Sequence, residues 1–237
     1  DNSINHSPRS LIKKLWGYGR WSYFSLFIEY VINNFPILYL KSSMGAFTEV
    51  GYFSKAKGLA EYPRRPAVPL SGLLFSFNAS SGQGQANNRT EITCRVSLWS
   101  VTLLYFILGI FIRPIISFLY GDEFLPAAEI FYYLYPGVIF YMQGLFLSSA
   151  LAARGYNKET FTVRLKSLPV ILIAAYFFIT NFGTIGAALT VSFSATVLWL
   201  QYAMKYIKIS NSTFNKILIP KKQDIQLFKL AFHKIFK

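Results

Sequence analysis

The sequence predicts an all-α integral membrane protein, a six-transmembrane-helix bundle with both ends cytoplasmic. Three observations carry that reading. Apolar stretches of spanning length recur along the 237 residues, of which 53% are hydrophobic and 18% aromatic. The segments between those stretches alternate between basic and nearly uncharged. The four Trp (Trp16, Trp21, Trp99, Trp199) fall at predicted cytoplasmic boundaries, the level an aromatic belt occupies.

A membrane helix needs about 20 mostly apolar residues. The predicted spans are 22–40, 52–78, 96–119, 127–151, 161–180 and 185–204. A basic lead-in over 1–21 precedes them and a basic tail over 205–237 follows. Residues 1–22, 79–95, 152–166 and 205–237 hold eighteen Lys and Arg, whereas 41–51, 120–126 and 181–184 hold only Lys41. Cytoplasmic loops carry such an excess, so this segregation sets both the span number and the orientation.

The first span carries a polar stripe, Ser22, Ser25, Glu29 and Asn33, at helical spacing. An acid at mid-bilayer depth faces a bundle interior or a cavity. The second span, 52–78, contains Lys55, Lys57, Glu61, Arg64, Arg65 and three prolines (Pro63, Pro66, Pro69). Hydropathy alone would leave it as a loop, but omitting it inverts the charge rule for every later segment. Its prolines remove amide donors in successive turns, which excludes a continuous lipid-facing helix. A broken helix lining a wet cavity and an interfacial segment are the two forms it can take. Lys57, Glu61 and Arg64 or Arg65 share a face there.

Arg113, a turn from the outer end of the third span, either snorkels to head groups or lines the cavity. On the fourth span Glu129, Tyr132 or Tyr133, Pro136 and Gln143 share a face, with Glu129 close to the outer boundary. Gly121, Asn181 and Gly183 mark tight outer turns, and Gly186-Ala187-Ala188 with Ser192 and Ser194 offers small residues for close helix contact. In the tail, Ile225, Phe228, Phe232 and Phe236 recur at helical spacing beside Lys residues, as in an amphipathic helix on the membrane surface.

The net charge of +14 sits in tails and alternate loops, which argues for anionic lipid contact rather than nucleic acid. A lone cysteine, Cys94, excludes an intrachain disulfide and a multi-thiolate metal site. His6 and His233 stand in the tails, and the sequence shows no catalytic constellation, metal spacing or cofactor motif. A non-enzymatic membrane protein without a cofactor is the expectation.

The sequence also resembles a known family. Gly51-Tyr52-Phe53-Ser54 continuing through Leu59-Ala60-Glu61 looks like the opening of a lumen-lining helix in polysaccharide flippases. Leu119-Tyr120-Gly121-Asp122-Glu123-Phe124-Leu125-Pro126-Ala127 resembles their outer turn. Tyr135-Pro136-Gly137, Ala152-Ala153-Arg154-Gly155 and Gly183-Thr184-Ile185-Gly186-Ala187-Ala188 are similar to the motifs that follow. These are the O-antigen and capsule-type (Wzx-like) flippases of the multidrug/oligosaccharidyl-lipid/polysaccharide exporter superfamily, and the resemblance covers roughly residues 10–205. The departure is Pro63-Arg64-Arg65-Pro66, where relatives show an apolar stretch with one proline.

The resemblance implies the C-terminal half of a two-bundle transporter in the bacterial inner membrane. An N-terminal half or second copy would complete it, alongside polysaccharide assembly proteins. Its cargo would be a polyprenyl-pyrophosphate-linked oligosaccharide. Lys55, Lys57, Arg64, Arg65, Arg113 and Gln143 are the expected substrate-binding residues, and Glu29, Glu61 and Glu129 the expected coupling acids. A multidrug-type exporter and a membrane-embedded glycan polymerase or ligase are the alternatives. The first needs exposed acids, whereas here the excess is basic; the second usually needs a large outer loop.

Overall fold

The computed structural model describes residues 8–45, 47–221 and 224, and every regular element among them is helical. Helix α1 runs Pro8–Met44, α2 Phe47–Glu61, α3 Ala67–Ser80, α4 Gln83–Tyr120, α5 Pro126–Ala153, α6 Asn157–Ser210 and α7 Phe214–Leu218. Three of them, α4, α5 and α6, are long and apolar enough to cross a membrane. The predicted tail stripe from Ile225 to Phe236 lies outside the described residues.

The 54 residues of α6 are two antiparallel limbs rather than one rod. Gly183 takes φ 55° and ψ −124°, a non-helical conformation that glycine adopts without a Cβ penalty. A straight helix would separate residues 159 and 205 by about 70 Å. Instead Lys205 meets Glu159 at 2.5 Å, Gln201 Nε2 donates to Ser167 Oγ at 2.8 Å, and the Phe178 and Phe193 rings lie 5.9 Å apart. Gly186 seals the reversal: a Cβ there would lie 2.0 Å from the Phe178 carbonyl oxygen.

The second predicted span is a single traverse broken in its middle. Helix α2 stops at Glu61, a short 3₁₀ turn covers Tyr62–Arg64, and α3 starts at Ala67. Pro63 and Pro66 bring no amide donors, so the chain tightens: the Arg65 amide bonds the Tyr62 carbonyl at 3.2 Å. Pro69 falls in the first turn of α3, where a missing N–H costs nothing. The buried Tyr105 hydroxyl of α4 donates to the Ala60 carbonyl beside the break.

Helix α5 stands at the centre, packed against α2, α3, α4 and α6. Its approach to the second limb is closest at Gly137, where an added Cβ would lie 2.6 Å from Ser192 Cα. The Ser192 hydroxyl accepts from the Gly137 amide at 3.1 Å and donates to the Tyr133 carbonyl at 2.5 Å. It thus bridges two groups that a regular helix pairs directly, next to Pro136. The predicted small-residue contact is therefore present, as are the turns at Gly121 (φ 91°) and Gly183.

The basic segments converge on one end. Arg154 donates to Asn87 Oδ1, the Asn87 amide donates to the Ser210 carbonyl, and Trp21 packs tilted against Phe161 with Lys158 over its ring. At the opposite end Tyr39 meets Thr180, Thr184 donates to Glu49, and Lys55 lies 4.7 Å over the Tyr120 ring.

Two expectations are corrected. The segments 79–95 and 152–166 are mostly helix rather than loop, because α4 and α6 extend well past their apolar cores. Trp199 lies inside the bundle, not in a belt: its ring is 4.8 Å from Phe140, and Gly144 of α5 lets the Trp199 backbone come close.

A buried latch closes the basic end. Arg95 Nε donates to Asp224 Oδ2 at 2.6 Å and its Nη2 to Oδ1 at 3.0 Å, a bidentate fork, while Nη1 donates to the Lys216 carbonyl. The bond from Arg95, outweighing the opposing effect of burial, holds the Asp224 carboxyl below the usual carboxylate range. A carboxyl depressed on folding adds stability at neutral pH that is lost as pH falls through its folded value.

Two outcomes follow. Gly137→Ala should overpack the α5–α6 contact and cost about 1–3 kcal/mol, seen as a lower unfolding temperature in detergent. Acidification below about pH 4 should release the tail from the bundle. Limited proteolysis should then cut between Ser212 and Asp224 faster, and Asp224→Asn should show that sensitivity already at pH 7.

Candidate functional site

The polar stripe of α1 faces inward as its spacing requires, with Ser25 buried and Ser22, Glu29 and Asn33 half-buried. Glu29 is a hub. Its Oε2 meets Arg164 Nη2 of α6 at 2.8 Å, and its Oε1 accepts from the Tyr141 hydroxyl of α5 at 2.7 Å. Arg164 also donates to Ser25. These side chains are only 12% and 19% exposed for Arg164 and Glu29, so the pair is largely shielded from solvent screening.

Tyr141 carries the cluster onward. The Arg64 guanidinium stands 4.3 Å over its ring, a cation–π contact, while Arg64 Nη2 pairs with Glu61 Oε1 at 2.8 Å. Lys57 Nζ donates to the Asn33 carbonyl at 2.9 Å. The result is one continuous chain, Arg164–Glu29–Tyr141–Arg64–Glu61, joining α6, α1 and α5 to the break after α2. Three cations, Lys57, Arg64 and Arg164, stand against two carboxylates, leaving one net positive charge in an apolar bundle.

The cluster lines two adjoining pockets that share Ile32, Asn33, Tyr141, Ala195 and Leu198. Each is about 30 Å³, room for a water molecule and nothing the size of a sugar ring.

The break selects between the two adjacent arginines. In an unbroken helix Arg64 and Arg65 both lie near the Glu61 face; the 3₁₀ turn aims Arg64 at Glu61 and leaves Arg65 exposed, 4.0 Å over the Tyr62 ring. Lys55 is exposed toward Tyr120, away from the cluster. Arg113 is exposed on α4, and Glu129 is exposed in the first turn of α5. Gln143 is buried and its Nε2 donates to Ser97 Oγ at 3.1 Å, on the side of α5 facing α4. So Lys57, Glu61, Arg64 and Glu29 come together, while Lys55, Arg65, Arg113, Gln143 and Glu129 stand apart from them.

Two members of the cluster, Arg164 and Tyr141, were not singled out from the sequence. A signal for Arg164 existed: Thr160, Ser167 and Ile171, all buried, lie at i−4, i+3 and i+7 from it. That places Arg164 on the inward stripe of α6.

Comparison with known proteins gives one partial match. A stretch of 104 residues is 31% identical to the capsular polysaccharide biosynthesis protein CapF of Staphylococcus aureus. The match takes in 44% of this chain and 26% of that protein, so the chain covers far less than the length of its relative. No family model matches. No solved structure matches either.

Breaking the hub from one side should cost more than removing it. Glu29→Ala leaves Arg164 shielded without its carboxylate, a loss of about 3–5 kcal/mol. The double variant Glu29→Ala/Arg164→Leu should recover a large part of that loss in thermal unfolding. Additive losses from Glu29→Ala and Arg164→Leu would show that the two side chains act independently.

Proposed function

We propose that this chain is one six-span bundle of a membrane transporter that carries a lipid-linked, anionic oligosaccharide across the bacterial inner membrane. The observation that carries the reading is the convergence of Lys57, Arg64 and Arg164 on two adjoining pockets inside an apolar bundle. Charge at such depth is costly and marks a path for ions or substrate. A net positive cluster with two guanidinium forks suits a phosphate or pyrophosphate group. The partial similarity to a capsular polysaccharide biosynthesis protein supports a polysaccharide-related cargo.

In this reading the basic end faces the cytoplasm, as the positive-inside rule requires, and both termini lie there. Helix α1, the broken α2–α3 traverse, α4, α5 and the two limbs of α6 are the six spans. The pockets admit water but no sugar, so the glycan occupies space beyond this face, completed by a second bundle. Only the charged head group reaches the cluster.

The mechanism is an exchange of partners. Cargo phosphate displaces Glu29 from Arg164 and Glu61 from Arg64. Glu29 and Glu61, released from their arginines, are in this reading the acids that couple cargo binding to the transport step. Release on the far side reverses both steps. A cation-exporting drug transporter would want a carboxylate free for its cargo, whereas Glu29 and Glu61 are each already paired with arginine.

In a strain lacking the chain, lipid-linked oligosaccharide should accumulate on the cytoplasmic leaflet and surface glycan should fall. Restoring it with Arg64→Ala/Arg164→Ala at normal membrane levels should leave export down by about tenfold or more, as expected when charge-assisted bonds worth 1.5–3 kcal/mol each are removed. Full export by that variant, or accumulation of unpolymerised units on the outer leaflet in the deletion strain, would defeat the reading.

A further inference from the structure

A second groove lies on the flank of the bundle, between α3 and α4. It is far roomier than the polar pockets, about 420 Å³, and its walls are apolar. Leu70, Leu73, Leu74 and Phe77 come from α3; Ile92 and Thr93 come from α4; Arg89 stands at one end. We propose that this groove binds one anionic membrane phospholipid, with an acyl chain along α3 and the phosphate on Arg89.

The level of Arg89 fits a head group. Exposed apolar side chains on α3 continue through Leu70, Leu73 and Phe77 and then stop, and Asn78, Ser80 and Ser81 follow. The hydrocarbon boundary on this flank therefore falls at Phe77, and the Arg89 guanidinium is 5.5 Å from that ring. From Phe77 back to Leu70 is seven residues, about 10 Å of apolar trough. A groove with a cation at the boundary and a mostly hydrocarbon lining beneath, Thr93 apart, is complementary to an amphiphile with a charged head and an apolar chain.

Arg89 is also free to take such a head group. It is exposed, and its Nη1 donates to Ser81 Oγ at 2.8 Å, which fixes the fork in place. Its other N–H groups have no protein acceptor among the described residues. The nearest acid in sequence, Glu91, is buried and accepts from Ser212 on another side of α4, so no carboxylate of this helix competes for the site. The groove shares no lining residue with the polar pockets, which open between α1, α2, α5 and α6. That separation assigns it to a resident phospholipid rather than to transported cargo.

The test is native mass spectrometry of the full chain, in detergent supplied with equal amounts of phosphatidylglycerol and phosphatidylcholine. The wild type should retain one phosphatidylglycerol with about tenfold preference, the size of one charge-assisted contact. Arg89→Gln should bring the two lipids to parity, and Leu73→Trp should empty the groove of both. Parity in the wild type, or an undiminished preference in Arg89→Gln, would overturn the proposal. So would displacement of phosphatidylglycerol by equimolar polyprenyl phosphate, which would make the groove a cargo site. Arg89 and Leu73 are both exposed, so wild-type unfolding temperatures are expected; if Leu73→Trp unfolds, the Arg89→Gln comparison still decides.

Discussion

Inside an apolar bundle a backbone carbonyl or amide that loses its helical partner must find another, because no bulk water is at hand to replace it. That constraint governs two proline-marked stretches among the described residues. Pro63 and Pro66 interrupt the ladder after α2, and the Tyr105 hydroxyl reaches from α4 to the Ala60 carbonyl. At Pro136 the Ser192 hydroxyl stands between the Gly137 amide and the Tyr133 carbonyl. Each repair comes from a different helix, so the places where single helices are weakest are where neighbouring helices are tied together. Helix α5 contains one of these repaired stretches and packs against the other.

The charged cluster obeys the same rule with higher stakes. Shielded ions are retained only when paired and hydrogen-bonded, and each carboxylate here has an arginine while Tyr141 links the two pairs. The break after α2 is what makes this arrangement possible. A continuous helix would leave Arg64 and Arg65 competing for one face, whereas the 3₁₀ turn gives one to the groove and one to the surface. Irregular backbone, normally a cost in a membrane, thereby becomes the element that aims a cation.

The legible parts of this protein were those set by a single period. The stripe of Ser22, Ser25, Glu29 and Asn33 lies on one uninterrupted helix, so spacing alone placed it inward. Gly121 and Gly183 announced their turns because only glycine takes their backbone angles without strain. Arg64 could not be separated from Arg65, because the turn between them follows a different period. Arg164 was hidden by its own charge: counted among loop cations as a marker of sidedness, it instead lies seven residues inside α6. Trp199 misled in the opposite sense, since the Phe140 ring that covers its indole lies 59 residues away. The Arg95–Asp224 fork, joining residues 129 apart, leaves no local trace at all.

The folded-back form of α6 also bears on the order in which the chain assembles. Its two limbs meet through contacts a few tens of residues apart, from Phe178–Phe193 to Lys205–Glu159, so the loop they close is short and entropically cheap. Arg164 reaches Ser25 across 139 residues, the far larger loop. Local contacts form faster than distant ones. The hairpin can thus form as soon as its second limb exists, carrying Arg164 already oriented on its inner stripe, and α1 is captured afterwards. The ion pair at the centre of the cluster then closes only after the hairpin has formed.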